Sequence, residues 1–127
     1  EEVVQFEGET GPYVQYTRAR AMSILRKANH TVDTKEAFSL TDDDAWEVLK
    51  LIENYPNVVR FAEEKCEPSA IAKYVINLAQ AFNKYYAHTK VLVEDEAFNS
   101  RIALVQTTAS LLKQGLALLG VAAPDEM

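Results

Sequence analysis

Glycine and proline are scarce in this chain, four of each in 127 residues, and they cluster where helices would begin or end instead of recurring at strand-and-turn spacing. That punctuation leaves long uninterrupted stretches, and within them apolar residues recur every three or four positions. The spacing predicts a helix from about Pro12 to Asn29, with Val14, Ala21, Leu25 and Ala28 on one face and proline in the first turn, where its missing N–H costs nothing. A second helix is expected after Thr41. Its hydroxyl would cap the backbone, with Asp44 reciprocating and Asp42 and Asp43 favouring the positive end of the helix dipole. Ala45, Val48, Leu49 and Ile52 supply its stripe. Pro56 is expected to end that helix and open a short third one running to Cys66 through Val58, Val59, Phe61 and Ala62. A fourth, about Ser69 to Thr89, carries Ile71, Val75, Leu78 and Phe82; a fifth, about Ala97 to Leu119, carries Phe98, Ile102, Val105, Ala109, Leu112 and Leu116 before Gly120 stops it. The reading is all-α: a five-helix bundle forming one domain over residues 1–127, with its longest unstructured connection between Asn29 and Thr41.

No stretch approaches the roughly 20 apolar residues of a membrane span, so no membrane partner is expected. Cys66 is the only cysteine, which rules out an internal disulfide and is read as a buried thiol in a reducing cytosol. His30 and His88 stand apart from any ligand pattern and are read as surface or helix-end residues. Asp42-Asp43-Asp44 lacks the spacing of a calcium loop and is read as helix capping. Gly8-Glu9-Thr10-Gly11 has the spacing of a nucleic-acid-clamping loop but lacks the flanking strands, and is read as a turn before a helix. No phosphate loop, nucleophile elbow or Cys/His pair is present, so no catalysis and no bound metal or cofactor is expected. A chain starting at Glu1 instead of Met is expected to be an excised segment or a processed product.

The net charge of −6 argues against general nucleic-acid binding, yet charge is unevenly spread. Between Thr10 and Val32 there is no acidic residue, and Arg18, Arg20, Arg26 and Lys27 give the segment +4. Projected on a helix, Tyr13, Tyr16, Arg20, Ser23 and Lys27 fall within roughly 80° of circumference. Rings that stack on bases beside cations that follow phosphates suit single-stranded nucleic acid. Tyrosines at the core margin beside solvated basic residues would give the same pattern.

Thr10-Gly11-Pro12-Tyr13-Val14-Gln15-Tyr16, preceded by Phe6-Glu7-Gly8-Glu9 and followed by Arg20, resembles the start of the anticodon-binding domain of arginyl-tRNA synthetases. Asn99-Ser100-Arg101-Ile102-Ala103-Leu104, then Gly115 to Gly120 and Pro124 to Met127, resemble that family's last helix and chain terminus; Glu67-Pro68 and Phe82-Asn83-Lys84-Tyr85-Tyr86 with Val91 also fit. The resemblance runs in order along nearly the whole chain. It implies the class Ia aminoacyl-tRNA synthetase anticodon-binding type of bundle, arginine tRNA as partner through its anticodon loop, and a parent catalytic domain that uses ATP and arginine, with this segment itself non-catalytic. A cytoplasmic monomer is expected. The resemblance also implies that Tyr13 and Tyr16 line the anticodon site, that Tyr86 stacks on a splayed base and that Met127 helps shape the pocket. Periodicity does not choose between Tyr85 and Tyr86; spacing to Val91 in the family pattern selects Tyr86. Arg101 is read as structural, while Arg20 and Lys27 enter from the helical stripe. Asp125-Glu126 depart from a family pattern that often has arginine before the terminal methionine. The alternative function is a helical protein-interaction module with an exposed groove.

Overall fold

A computed structural model describes residues 10–36 and 38–125; Phe6 to Glu9, Glu126 and Met127 lie outside the described residues. Four helices follow in order: α1 (Gly11–Ala28), α2 (Asp43–Lys65), α3 (Pro68–His88) and α4 (Phe98–Leu118), with no strand among the described residues. The all-α reading stands, with four helices among the described residues in place of five.

Two expected helices are one because α2 runs through Pro56. Proline deletes the hydrogen bond to the carbonyl four residues back and crowds that turn, at about 3 kcal/mol or more. The apolar stripe nevertheless keeps its phase across the proline: Ala45, Val48, Ile52, Tyr55, Val58 and Ala62 all pack toward the core. Continuous burial against α3 outweighs the local penalty. The Tyr74 hydroxyl also donates to the Leu51 carbonyl, in the turn that the proline weakens. Burial pushes the Tyr74 phenol well above its ordinary pKa, and Tyr55 nearby adds to the shift, so this donor stays protonated.

The cap of α2 differs by one residue from the sequence reading. Asp42, not Thr41, is the N-cap and accepts from the Ala45 N–H at 3.2 Å, while Asp44 turns outward to His88 at 2.7 Å and Lys84 at 3.8 Å. A carboxylate at this position satisfies the free N–H and opposes the helix dipole at once. Cys66 was expected to be buried but is exposed: it is the C-cap of α2 in left-handed conformation, φ 52°, where the chain turns out of the helix. Gly120 does stop α4. At φ 75° it brings the Val121 N–H to the Leu116 carbonyl at 2.8 Å and its own N–H to the Ala117 carbonyl at 3.0 Å, the paired bonds of a left-handed helix stop.

Helix α4 is the centre of the bundle and touches all three others. Besides the expected stripe it buries Leu104, Thr108 and Gly115, so it is enclosed on most sides. Its first turn explains the Asn99-Ser100-Arg101 motif. The Asn99 side chain accepts from the Asp33 N–H at 2.8 Å and donates to the Asp33 carbonyl at 3.0 Å, and the Ser100 hydroxyl accepts from the Ser39 N–H at 3.0 Å. Those bonds tie down the long connection between α1 and α2. Arg101 is buried and donates to the Val91 and Val93 carbonyls and to Asp95 at 2.6 Å, pinning the α3–α4 connection. Its hydrogen bond holds the Asp95 carboxyl below the usual range.

At Gly115, α4 packs hard against α3. A methyl group there would stand 2.3 Å from Val75 Cγ1. Val75 is fully buried and β-branched, so it has no free rotamer to retreat into. Gly115→Ala is therefore expected to lower stability in urea unfolding by up to about 2 kcal/mol, because an overpacking cost of about 1–3 kcal/mol is set against a gain in helix propensity of about 1 kcal/mol. A variant more stable than the parent chain would show that the two helices have room to separate.

Candidate nucleic-acid interface

The sequence stripe on α1 does not act as a single unit; the fold divides it. Tyr13 and Arg20, two helical turns apart, both face α3, where one side chain connects them. Asn83 accepts from Arg20 Nη1 at 2.7 Å through Oδ1, and through Nδ2 donates to the Tyr13 hydroxyl at 3.0 Å and to Thr17 Oγ1 at 2.9 Å. The Arg20 guanidinium lies over the Tyr86 ring, 5.2 Å from its centroid, within cation–π range. Tyr13, Arg20, Asn83 and Tyr86 thus form one surface cluster on two helices that are far apart in sequence.

Tyr16 and Lys27 sit on the solvent side of the same helix and do not join that network. Tyr16 is 60% exposed, the more open of the two α1 tyrosines, and Lys27 is exposed near the end of the helix. Met127 lies outside the described residues. Rotation by about 100° per residue separates Tyr85 from Tyr86. Tyr85 is fully buried, its phenol pushed up by burial and further by Asp42, whereas Tyr86 is 39% exposed and presents ring surface to solvent. Beside Tyr86 is a shallow hollow completed by Thr89, Lys90, Leu92 and Val93, so an apolar floor meets a cation at its rim.

Arg18 contributes to the +4 charge of the segment between Thr10 and Val32, but it is buried and its charge is used internally. It donates to the Ala109 carbonyl at 3.2 Å, the Ala123 carbonyl at 3.0 Å and Asp125 at 2.7 Å. The Arg18 hydrogen bond and charge hold the Asp125 carboxyl below its usual range. That contact fastens the chain after α4 onto α1, assisted by Gln15 Nε2 donating to the Ala122 carbonyl at 2.7 Å. One of the two tail carboxylates therefore serves as an anchor.

Asn83 and Lys90 carry no site signal of their own in the sequence. A polar residue on an amphipathic helix has no local mark of function, because its partners here lie 63 to 70 positions away. The available signal was its place one turn before Tyr86, inside the Phe82-to-Tyr86 motif. His30 and His88 have structural partners, Asn99 at 2.8 Å and Asp44 at 2.7 Å. Among the described residues no group of acidic, cysteine and histidine side chains could hold a metal ion.

An exposed stacking ring, a second half-exposed ring whose hydroxyl is hydrogen-bonded to Asn83, and nearby cations on a half-open surface can hold unpaired bases and their phosphates. The family described as DALR anticodon binding domain matches residues 14–127. Over all 127 residues the chain is 61% identical to an arginine–tRNA ligase of Enterococcus faecalis and 56% identical to one of Streptococcus agalactiae, covering 23% of each. The chain spans about a quarter of the length of these curated relatives. Among solved structures it is similar to the Thermus thermophilus arginyl-tRNA synthetase, with a TM-score of 0.81 and 37% identity over 96% of this chain and 22% of that one. It is also similar to a putative arginyl-tRNA synthetase of Campylobacter jejuni, with a TM-score of 0.82 and 27% identity over 91% of this chain and 26% of that one.

Proposed function

The chain belongs to the DALR anticodon-binding domain family, and from that premise we propose that residues 1–127 are one domain that recognises the anticodon loop of arginine tRNA on behalf of an arginine–tRNA ligase. The observation that carries this reading is the joining of Tyr13, Arg20 and Tyr86 through Asn83 into one exposed cluster. Unstacked loop bases dock on Tyr86 and against Tyr13; Tyr16 extends the aromatic surface along α1. Arg20, Lys27 and Lys90 meet the phosphates, and Met127 belongs to the same RNA-binding set. Affinity comes from stacking and a few charge contacts, and specificity from hydrogen bonds to base edges.

Docking here aligns the acceptor end of the tRNA with the catalytic domain of the parent chain, where ATP and arginine are bound and the transfer occurs. The domain itself performs no chemical step. The parent enzyme acts as a monomer in the cytoplasm; no helix among the described residues is long and apolar enough to cross a membrane.

Titration of an arginine-tRNA anticodon stem-loop at rising salt tests this reading. Neutralising about three phosphates gives a log–log slope near about −2 on the single-strand scale. A slope near zero would mean that no phosphates are met. The competing reading, a protein-interaction bundle, draws on the open groove between α2 and α4 lined by Tyr55, Pro56, Val59, Ala117 and Leu118, where Leu118 is half exposed. Loop-sequence-dependent RNA binding decides for the first reading, and the absence of RNA affinity decides for the second.

A further inference from the structure

The hydrogen bonds around Asn83 have a single direction, set by the one member that cannot accept. Arginine only donates, so Arg20 fixes Asn83 Oδ1 toward itself; a flipped amide would set two donors face to face. The Asn83 amide protons then point at the Tyr13 hydroxyl and Thr17 Oγ1. The Thr17 hydroxyl is free to accept because its own proton goes to the Tyr13 carbonyl at 3.0 Å. At the end of this run of hydrogen bonds, Tyr13 Oη accepts from the Asn83 amide and must direct its own proton elsewhere. Tyr13 is 39% exposed, so solvent or a bound base can take that proton.

Resting on the anticodon-loop reading above, we infer that Asn83 is a positioning residue: it holds the Tyr13 hydroxyl as an outward-facing donor that reads an acceptor atom, a ring nitrogen or carbonyl oxygen, on the edge of one loop base. A base that presents an amino group at that place sets donor against donor and is refused. Arg20 takes part twice. It sets the polarity of the network and covers one face of Tyr86, leaving the other face for stacking.

The test uses the full-length protein, an arginine-tRNA anticodon stem-loop and the same hairpin with each loop base replaced in turn, titrated against Tyr13→Phe, Asn83→Asp and the double variant. Aspartate keeps the shape of asparagine and still accepts from Arg20, but it cannot donate, so Tyr13 turns its proton inward. Both single variants are expected to lose about tenfold in discrimination at one and the same loop position. The double variant loses no more than Tyr13→Phe alone, and the melting temperatures stay with the parent protein. The added negative charge weakens all hairpins alike and cancels in the ratio. Full discrimination retained by Asn83→Asp would overturn the inference, as would losses at different loop positions. Wild-type binding without any base preference overturns it while leaving stacking in place, and wild-type protein without RNA affinity removes the anticodon reading as well.

Discussion

Phe82→Ala is expected to lower the unfolding free energy by about 3–5 kcal/mol, the range for removing a large ring from a packed interior. Phe82 is fully buried on α3, in the core shared with α4. Small residues line part of the same core, Ala79 and Ala109 among them, and backbones held by helical hydrogen bonds do not collapse far enough to fill the space. The loss should appear in urea denaturation as a lower midpoint with an unchanged slope. Phe82 also precedes Asn83 directly, so the variant should weaken RNA binding through displacement of the cluster above it. A loss under about 1 kcal/mol would mean that α3 packs less tightly than its burial indicates.

Removing both rings of the cluster, Tyr13→Ala with Tyr86→Ala, is expected to weaken anticodon stem-loop binding by more than either change alone but by less than the sum of about 2–6 kcal/mol that two independent stacks would give, while leaving the fold intact. Each stacked base contributes roughly 1–3 kcal/mol. Neither ring is part of the buried core, since both are 39% exposed, so the melting temperature should change little. The two losses should not add fully. Asn83 binds the Tyr13 hydroxyl and Arg20, and Arg20 lies on Tyr86, so loss of either ring loosens the setting of the other. Affinity within about twofold of the parent protein would remove both residues from the interface.

Helix content was legible because burial of an amphipathic stripe has a period that can be read directly from spacing. The positions on α3 and α4 that the stripe selected, such as Val75, Leu78, Phe82, Ile102, Val105 and Leu112, are all buried. Pro56 misleads for a reason the sequence holds only implicitly. Its local signal is strong, but the stripe stays in phase on both sides, and tertiary burial decides. Cys66 was misplaced because residue type predicts burial on average, whereas its position as a left-handed cap dictates exposure.

The site was legible by halves. Aromatic and basic residues on α1 showed in the helical projection, but which of them meet α3 depends on how the helices cross. Crossing joined Tyr13 and Arg20 to Asn83, left Tyr16 and Lys27 on the solvent side, and turned Arg18 inward to Asp125. None of those outcomes has a local sequence signal. The choice of Tyr86 over Tyr85 came from family spacing, and the opposite burial of the two rings gives it a physical basis.

The most direct measurement is an amide and side-chain NMR titration of the protein with an arginine-tRNA anticodon stem-loop. Resonances of Tyr13, Arg20, Asn83 and Tyr86 are expected to shift together and saturate at one stoichiometry. Shifts confined to the groove around Tyr55 and Leu118, with the Asn83 cluster unmoved, would contradict the account.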